Sequence, residues 1–184
     1  MQQIPALNPE AASGKTKDLF NIVQSKLGLV PNMMRTMGNS PAVLKGYLSL
    51  SEALGQGVLG NKLGELIAIY VANINSCSYC NAAHGFISEK LLGIDEQTIR
   101  LAREGKSLNP KVAAAFTFVN ALVKRHGKVS AAEVQALRDA GYDEAGVAEI
   151  IGHVALNILT NYFNIAVDVE VDFPETALTE AAME

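Results

Sequence analysis

The sequence predicts an all-α fold of about seven to eight helices, and three observations carry that reading. Apolar residues recur at helical spacing along most of the chain. Capping residues stand where these runs begin. The composition, 49% hydrophobic with many Ala and Leu and no Trp, suits closely packed helices better than an aromatic-rich sandwich. A chain of 184 residues closes one substantial core, so the expected organisation is a single domain over 1–184, with an N-terminal arm over 1–15 and a C-terminal tail over 166–184.

Each element follows from local chemistry. The opening, rich in Pro, Asn, Ala and Ser, reads as an arm lying over other elements. From Thr16, Leu19, Phe20, Val23 and Leu27 share a helical face and Gly28 supplies a stop. Residues 30–34 read as a turn into a short helix. Ser40 and Pro41 start the next, with Ser as cap and Pro in the first turn, where its missing donor costs nothing; it runs to about Leu54. Leu63, Leu66, Ile67, Tyr70, Val71 and Ile74 mark another helix from near Asn61.

Asn73, Asn75 and Ser76 favour a break, and a new helix starting at Ser76 or Cys77 runs to Leu91–Gly93. Asp95 caps 96–103, and Asn109–Pro110 opens a helix through Phe116, Phe118 and Val123. Ser130 and Glu133 form a capping box for a helix ending at Gly141. Asp143 or Glu144 opens the longest run, through Ile150, Val154, Ile158 and Tyr162 to about Ile165. Residues 166–172 alternate apolar and acidic, but no second strand is available to pair with them. They read as a frayed helix end and an extended tail, with Phe173 and Pro174 against a neighbour.

Charge narrows the function. With 15 basic and 19 acidic residues the formal charge is -4, and the basic residues are scattered; no nucleic-acid surface and no membrane association is expected. The first residues lack the basic and apolar regions of a secretory leader, and no apolar run reaches the length of a span. The expected setting is cytoplasmic.

The chemistry concentrates in Cys77-Ser78-Tyr79-Cys80-Asn81-Ala82-Ala83-His84, which holds both cysteines of the chain. On a helix, positions 77, 80 and 84 fall on one face, so Cys80 and His84 meet across one turn. A thiol is a poor nucleophile at its ordinary pKa of about 8.5; a helix N-terminus or a nearby base raises the thiolate fraction. His84 as base favours Cys80 as the attacking sulfur, whereas a thioredoxin-like reading activates Cys77, the first cysteine of the motif. A thiolate attacking a hydroperoxide gives a sulfenic acid, which the other cysteine condenses with to form a disulfide.

Glu65 lies about 18 Å from Cys77 along an unbroken helix, but an antiparallel fold-back after the break brings it towards the cysteines as an orienting acid or proton relay. Otherwise it is a surface residue. Tyr79 packs or donates its hydroxyl to a thiolate. His153 reads as a hydrogen-bonded helix residue that faces the cysteines only if the last helix packs there, and His126 as an ordinary helix end.

Glu65 followed after eleven residues by the cysteine motif, with Leu27-Gly28-Leu29-Val30-Pro31-Asn32 and Asn39-Ser40-Pro41 upstream, resembles the carboxymuconolactone decarboxylase and alkylhydroperoxidase D-like superfamily, in particular its peroxidase-related branch. The resemblance covers roughly residues 18–165. It implies an all-helical alkylhydroperoxidase D-like fold in a homo-oligomer, a trimer or higher assembly. It also implies cofactor-free, thiol-dependent reduction of small organic hydroperoxides, with Cys80 peroxidatic, Cys77 resolving, His84 the base and Glu65 in the proton relay, and a dithiol or lipoyl-type partner as reductant. Tyr79 stands where the alkylhydroperoxidase D proteins have a histidine. Two other classes remain: a non-catalytic oxidation sensor or oligomeric helical protein, and, less favoured, a zinc module using Cys77, Cys80 and His84.

Overall fold

The computed structural model describes residues 2–174 and Leu178. Among them are nine α-helices, one π-helical turn and no strand. The helices are α1 (Gly14–Leu27), α2 (Asn32–Met37), α3 (Pro41–Gly55), α4 (Gly60–Ile74), α5 (Ser78–Phe86), α6 (Glu96–Arg103), α7 (Pro110–Lys124), α8 (Ala131–Asp139) and α9 (Glu144–Ala166). The all-helical class is as expected, with nine α-helices among the described residues against about seven to eight. The expected cysteine helix is also not uniform: it passes from α5 into a π-helical turn over Ile87–Leu91.

The caps act as their residue types dictate. Ser40, Asp95, Asn109, Ser130 and Asp143 each accept from a backbone N–H of the first turn that they precede. Ser130 and Glu133 complete a reciprocal box. Gly28 ends α1 at φ 77°, a left-handed conformation open to glycine at little cost.

Helix α4 is the centre, packing against α5, α6, α7 and α9. Its buried face, including Ile67, Ile69 and Val71, is sealed from solvent. Three apolar clusters surround it. Ile67, Val71, Phe118, Val119, Leu137, Ile150 and Val154 join α4 to α7, α8 and α9. Leu66, Ile69, Ile99 and Phe116 join it to α6 and α7. The third cluster is rich in sulfur, with Met33, Met34 and Met37 beside Cys77 and Cys80.

The arm and the tail close on each other. Gln3 donates its backbone N–H to the Val167 carbonyl, Gln2 bonds Thr36, and Arg35 donates to the Leu7 carbonyl. After α9 the chain turns at Asp168, φ 51°. It then runs without regular secondary structure until Phe173 meets the rings of Tyr79 and Phe86. The expected tail contact is therefore present, on α5; the tail beyond 174, Leu178 apart, lies outside the described residues.

Candidate active site

The break after α4 decides the site. Ile74 ends α4, Ser76 takes a positive φ of 56°, and the chain reverses so that α5 packs back along α4. The fold-back carries His84 onto Glu65: their side chains meet at 2.8 Å, Nδ1 to Oε2, both about a fifth exposed. Burial pushes the His84 imidazole down, but the Glu65 carboxylate, by charge and by hydrogen bond, outweighs it and holds His84 above its ordinary value.

Cys77 and Cys80 are joined as a disulfide, their Cα atoms 5.3 Å apart, and both are almost fully buried, at 1% and 2% exposure. One expectation needs correction. Cys77 does not share a helical face with Cys80 and His84; it is the N-cap of α5, in extended conformation. Its sulfur accepts the Cys80 backbone N–H at 3.3 Å. Cys77 therefore stands at the positive end of the α5 dipole, where a thiolate is favoured.

The Cys80 sulfur has a different partner, which sequence reasoning missed. Asn164 of α9 donates through Nδ2 to Cys80 Sγ at 3.2 Å and to Met33 Sδ at 3.4 Å. Its signal was in the sequence. Asn157, Thr160, Asn161 and Asn164 follow at helical spacing on a helix otherwise apolar on that side, and all four are buried. Asn161 accepts from Asn75 Nδ2 at 3.0 Å, tying this stripe to the turn before the cysteines.

Tyr79 points away from the sulfurs. Its hydroxyl donates to Asp172 Oδ1 at 2.9 Å and accepts the Met33 N–H at 3.1 Å, clasping the tail and α2 to α5. Burial, and secondarily the Asp172 charge, keep the phenol neutral against the opposing Met33 bond. Tyr47 of α3 packs on the sulfur-rich cluster. Burial and the Glu65 charge push it up to about 12, against a hydrogen bond from Ser51.

His153 does not join the cysteine cluster. It faces Gly64, where an added Cβ would lie 2.7 Å from its ring, so α4 and α9 approach this closely because residue 64 lacks a side chain. Burial lowers its pKa, opposed by the charges of Glu149 and Glu65. His126 lies at the end of α7 in a positive-φ turn. Among the described residues no three His, Cys, Asp or Glu side chains converge as metal ligands. No helix there is long and apolar enough to cross a membrane. Two surface clefts of about 300 and 250 Å³, one between Leu59 and Tyr142 and one beside Phe118, lie away from the cysteines.

No protein-family profile and no curated protein matches the sequence. Solved structures do match the fold. An uncharacterized peroxidase-related protein from Ralstonia eutropha JMP134, described as an alkylhydroperoxidase AhpD core, superposes with a TM-score of 0.83 at 22% identity, over 93% of this chain and 92% of that one. The chain has the alkylhydroperoxidase core fold. A peroxidase-related protein from Silicibacter sp. TM1040 shares this core at a TM-score of 0.78 and 24% identity, covering 92% and 94%. The debrominase Bmp8, as a C82A variant with 2,3,4-tribromopyrrole, shares it at 0.73 and 19%, covering 100% and 94%.

Proposed function

We propose that this chain is a peroxidase-related member of the alkylhydroperoxidase D-like superfamily that reduces small organic hydroperoxides through a Cys77/Cys80 dithiol–disulfide cycle. One observation supports this reading: Cys77 and Cys80 form a disulfide at the start of α5, and His84, one turn beyond Cys80, is bonded to Glu65 of α4. The cycle follows from that arrangement. His84 takes the Cys80 thiol proton, the resulting thiolate attacks the O–O bond to give Cys80–SOH and an alkoxide, and His84 returns the proton to the alkoxide. The Cys77 thiol then displaces hydroxide from the sulfenic acid, forming the S–S bond and releasing water. An external dithiol reduces the disulfide and is itself oxidised to one. Glu65 orients His84 and supports its charged form.

The outer face of α9, with Ile151, Leu159, Tyr162 and Ile165 exposed, supports assembly with further copies of the chain.

The test is a free-thiol titration of the reduced protein before and after one equivalent of an organic hydroperoxide. Two thiols should disappear in the parent. Cys77→Ser should accumulate a trappable sulfenate and Cys80→Ser none; unchanged thiols in the parent would refute the cycle. A second reading, an oxidation sensor without rapid turnover, is favoured by the burial of both sulfurs, since oxidant and reductant reach them only through local opening. Oxidation much faster than any dithiol-driven return would establish the sensor.

A further inference from the structure

We infer that Asn164 is the residue that stabilises negative charge on the Cys80 sulfur, an assignment that rests on the dithiol–disulfide cycle proposed above. The disulfide sulfur and the Met33 thioether carry no protons and act only as acceptors, so the NH2 end of the amide must face them. The other end, Asn164 Oδ1, is buried without a partner. A half-satisfied amide in a core carries a desolvation cost that an apolar side chain of similar volume would not. What Asn164 supplies in return is an N–H 3.2 Å from a reacting atom.

The two sulfurs are thus served separately. Cys77 has the α5 N-terminus and the Cys80 backbone N–H; Cys80 has a side chain from a helix 84 residues further along the chain. When a dithiol attacks Cys77, a new S–S bond forms to the reductant, the Cys77–Cys80 bond breaks, and its electron pair leaves on Cys80. The Asn164 N–H is in place to receive that charge. The same donor then favours the Cys80 thiolate over the thiol for attack on the hydroperoxide. A hydrogen bond to an ionised group is shorter and stronger than one to a neutral sulfur.

Of the titratable groups, Tyr79 on α5 and Tyr47 on α3 share the apolar cluster of the pair, Asp172 in the tail is bonded to the Tyr79 hydroxyl, and His84, one turn beyond Cys80 on α5, is bonded to Glu65 on α4. The experiment must separate Asn164 from these. In a Cys77→Ser background that leaves Cys80 as the lone thiol, ultraviolet thiolate absorbance is followed against pH for Asn164, Asn164→Leu and Asn164→Asp.

Asn164→Leu should raise the Cys80 titration by about one to two units, a ten- to hundred-fold loss of thiolate near neutral pH. Asn164→Asp should raise it at least as far, because an ionised carboxylate in the same shape repels the thiolate. Asn161→Leu, on the same buried stripe but bonded to Asn75 rather than to sulfur, should leave it in place. An unmoved titration in both Asn164 variants, or an equal shift in Asn161→Leu, overturns the assignment. The readout needs no turnover. A shifted thiol in a chain that reduces no hydroperoxide would keep the charge-stabilising role and discard the peroxidase reading, while turnover with an unmoved thiol would do the reverse. Circular dichroism checks that each variant folds; if the Leu variant does not, Asn164→Asp and Asn164→Ser carry the test.

Discussion

The two halves of α9 bury one continuous face in two different chemistries. From 144 to 156 that face presents Ile150 and Val154 to α4, α7 and α8, in the apolar cluster they share with Val71, Val119 and Leu137. From 157 to 166 it buries Asn157, Thr160, Asn161 and Asn164; Asn157 and Thr160 donate to carbonyls of α9 itself, Asn161 meets Asn75 in the turn before α5, and Asn164 meets Cys80. His153, also buried, stands at the junction. Apolar burial stabilises at about 25 cal/mol per Å², whereas buried amides at best offset their own desolvation. The first half holds the fold, and the second carries a polar cost beside the Cys77–Cys80 disulfide.

The largest expected effect breaks that division at its functional end. Cys80→Ser should abolish hydroperoxide reduction while leaving the far-ultraviolet spectrum unchanged, because the serine keeps the shape of the start of α5. Residual turnover near the parent rate would remove Cys80 from the chemistry. At the other end, Ile150→Ala should cost about 2–5 kcal/mol in denaturant unfolding, since Ile150 is fully buried. The reactivity of the thiols in the protein that remains folded should be unchanged. A change in thiol titration there would show the two halves to be coupled rather than separate.

The Glu65–His84 pair sharpens the comparison through pH. His84→Gln should lower the rate roughly 100-fold if it acts as acid and base. In the parent, His84 must be neutral to take a proton, and Glu65 holds its pKa above the ordinary value, so the limb of the pH–rate profile that reports the base should rise above that value. Glu65→Gln removes the raising influence and leaves burial, so the limb should move to lower pH. The stability sign is the opposite of a carboxylate's. A raised His84 contributes fully below its unfolded pKa, and the contribution is lost as pH rises through the folded one. A Glu65→Gln variant with an unmoved limb would take Glu65 out of the relay.

What the sequence disclosed divides in the same way. Ser40, Asp95, Asn109, Ser130 and Asp143 were legible as caps because each bonds within four residues of itself. The reversal near Ser76 was legible from poor helix formers, and with it the approach of Glu65 to α5. Asn164 was not, although its polar stripe was written in plain residues, because nothing local says which face of α9 meets which helix. Cys77 was misplaced by one residue, as the first of the helix rather than its cap, for a related reason: spacing of three fits a helical turn and a cap with its first turn equally well. The π-helical turn over Ile87–Leu91 left no signal in apolar spacing.

Tyr79 gives the smallest effect and the finest division, because it lies between the two cysteines yet belongs with the scaffold. Its hydroxyl serves Asp172 and the Met33 N–H and does not turn toward sulfur. In Tyr79→Phe the ring keeps its edge contact with Phe173, and Asp172 keeps the Asn32 N–H at 2.7 Å. The loss is two hydrogen bonds, one given to Asp172 in the tail and one taken from the Met33 N–H in the first turn of α2, about 1–3 kcal/mol together, or a few degrees in Tm for a chain of this size. The Cys80 titration and the rate of hydroperoxide attack should stay where they are. A Tyr79→Phe variant with parental Tm and a raised Cys80 titration would reverse this placement, putting the phenol beside the thiolate in the reduced protein and leaving the tail held by Phe173 and Asp172 alone.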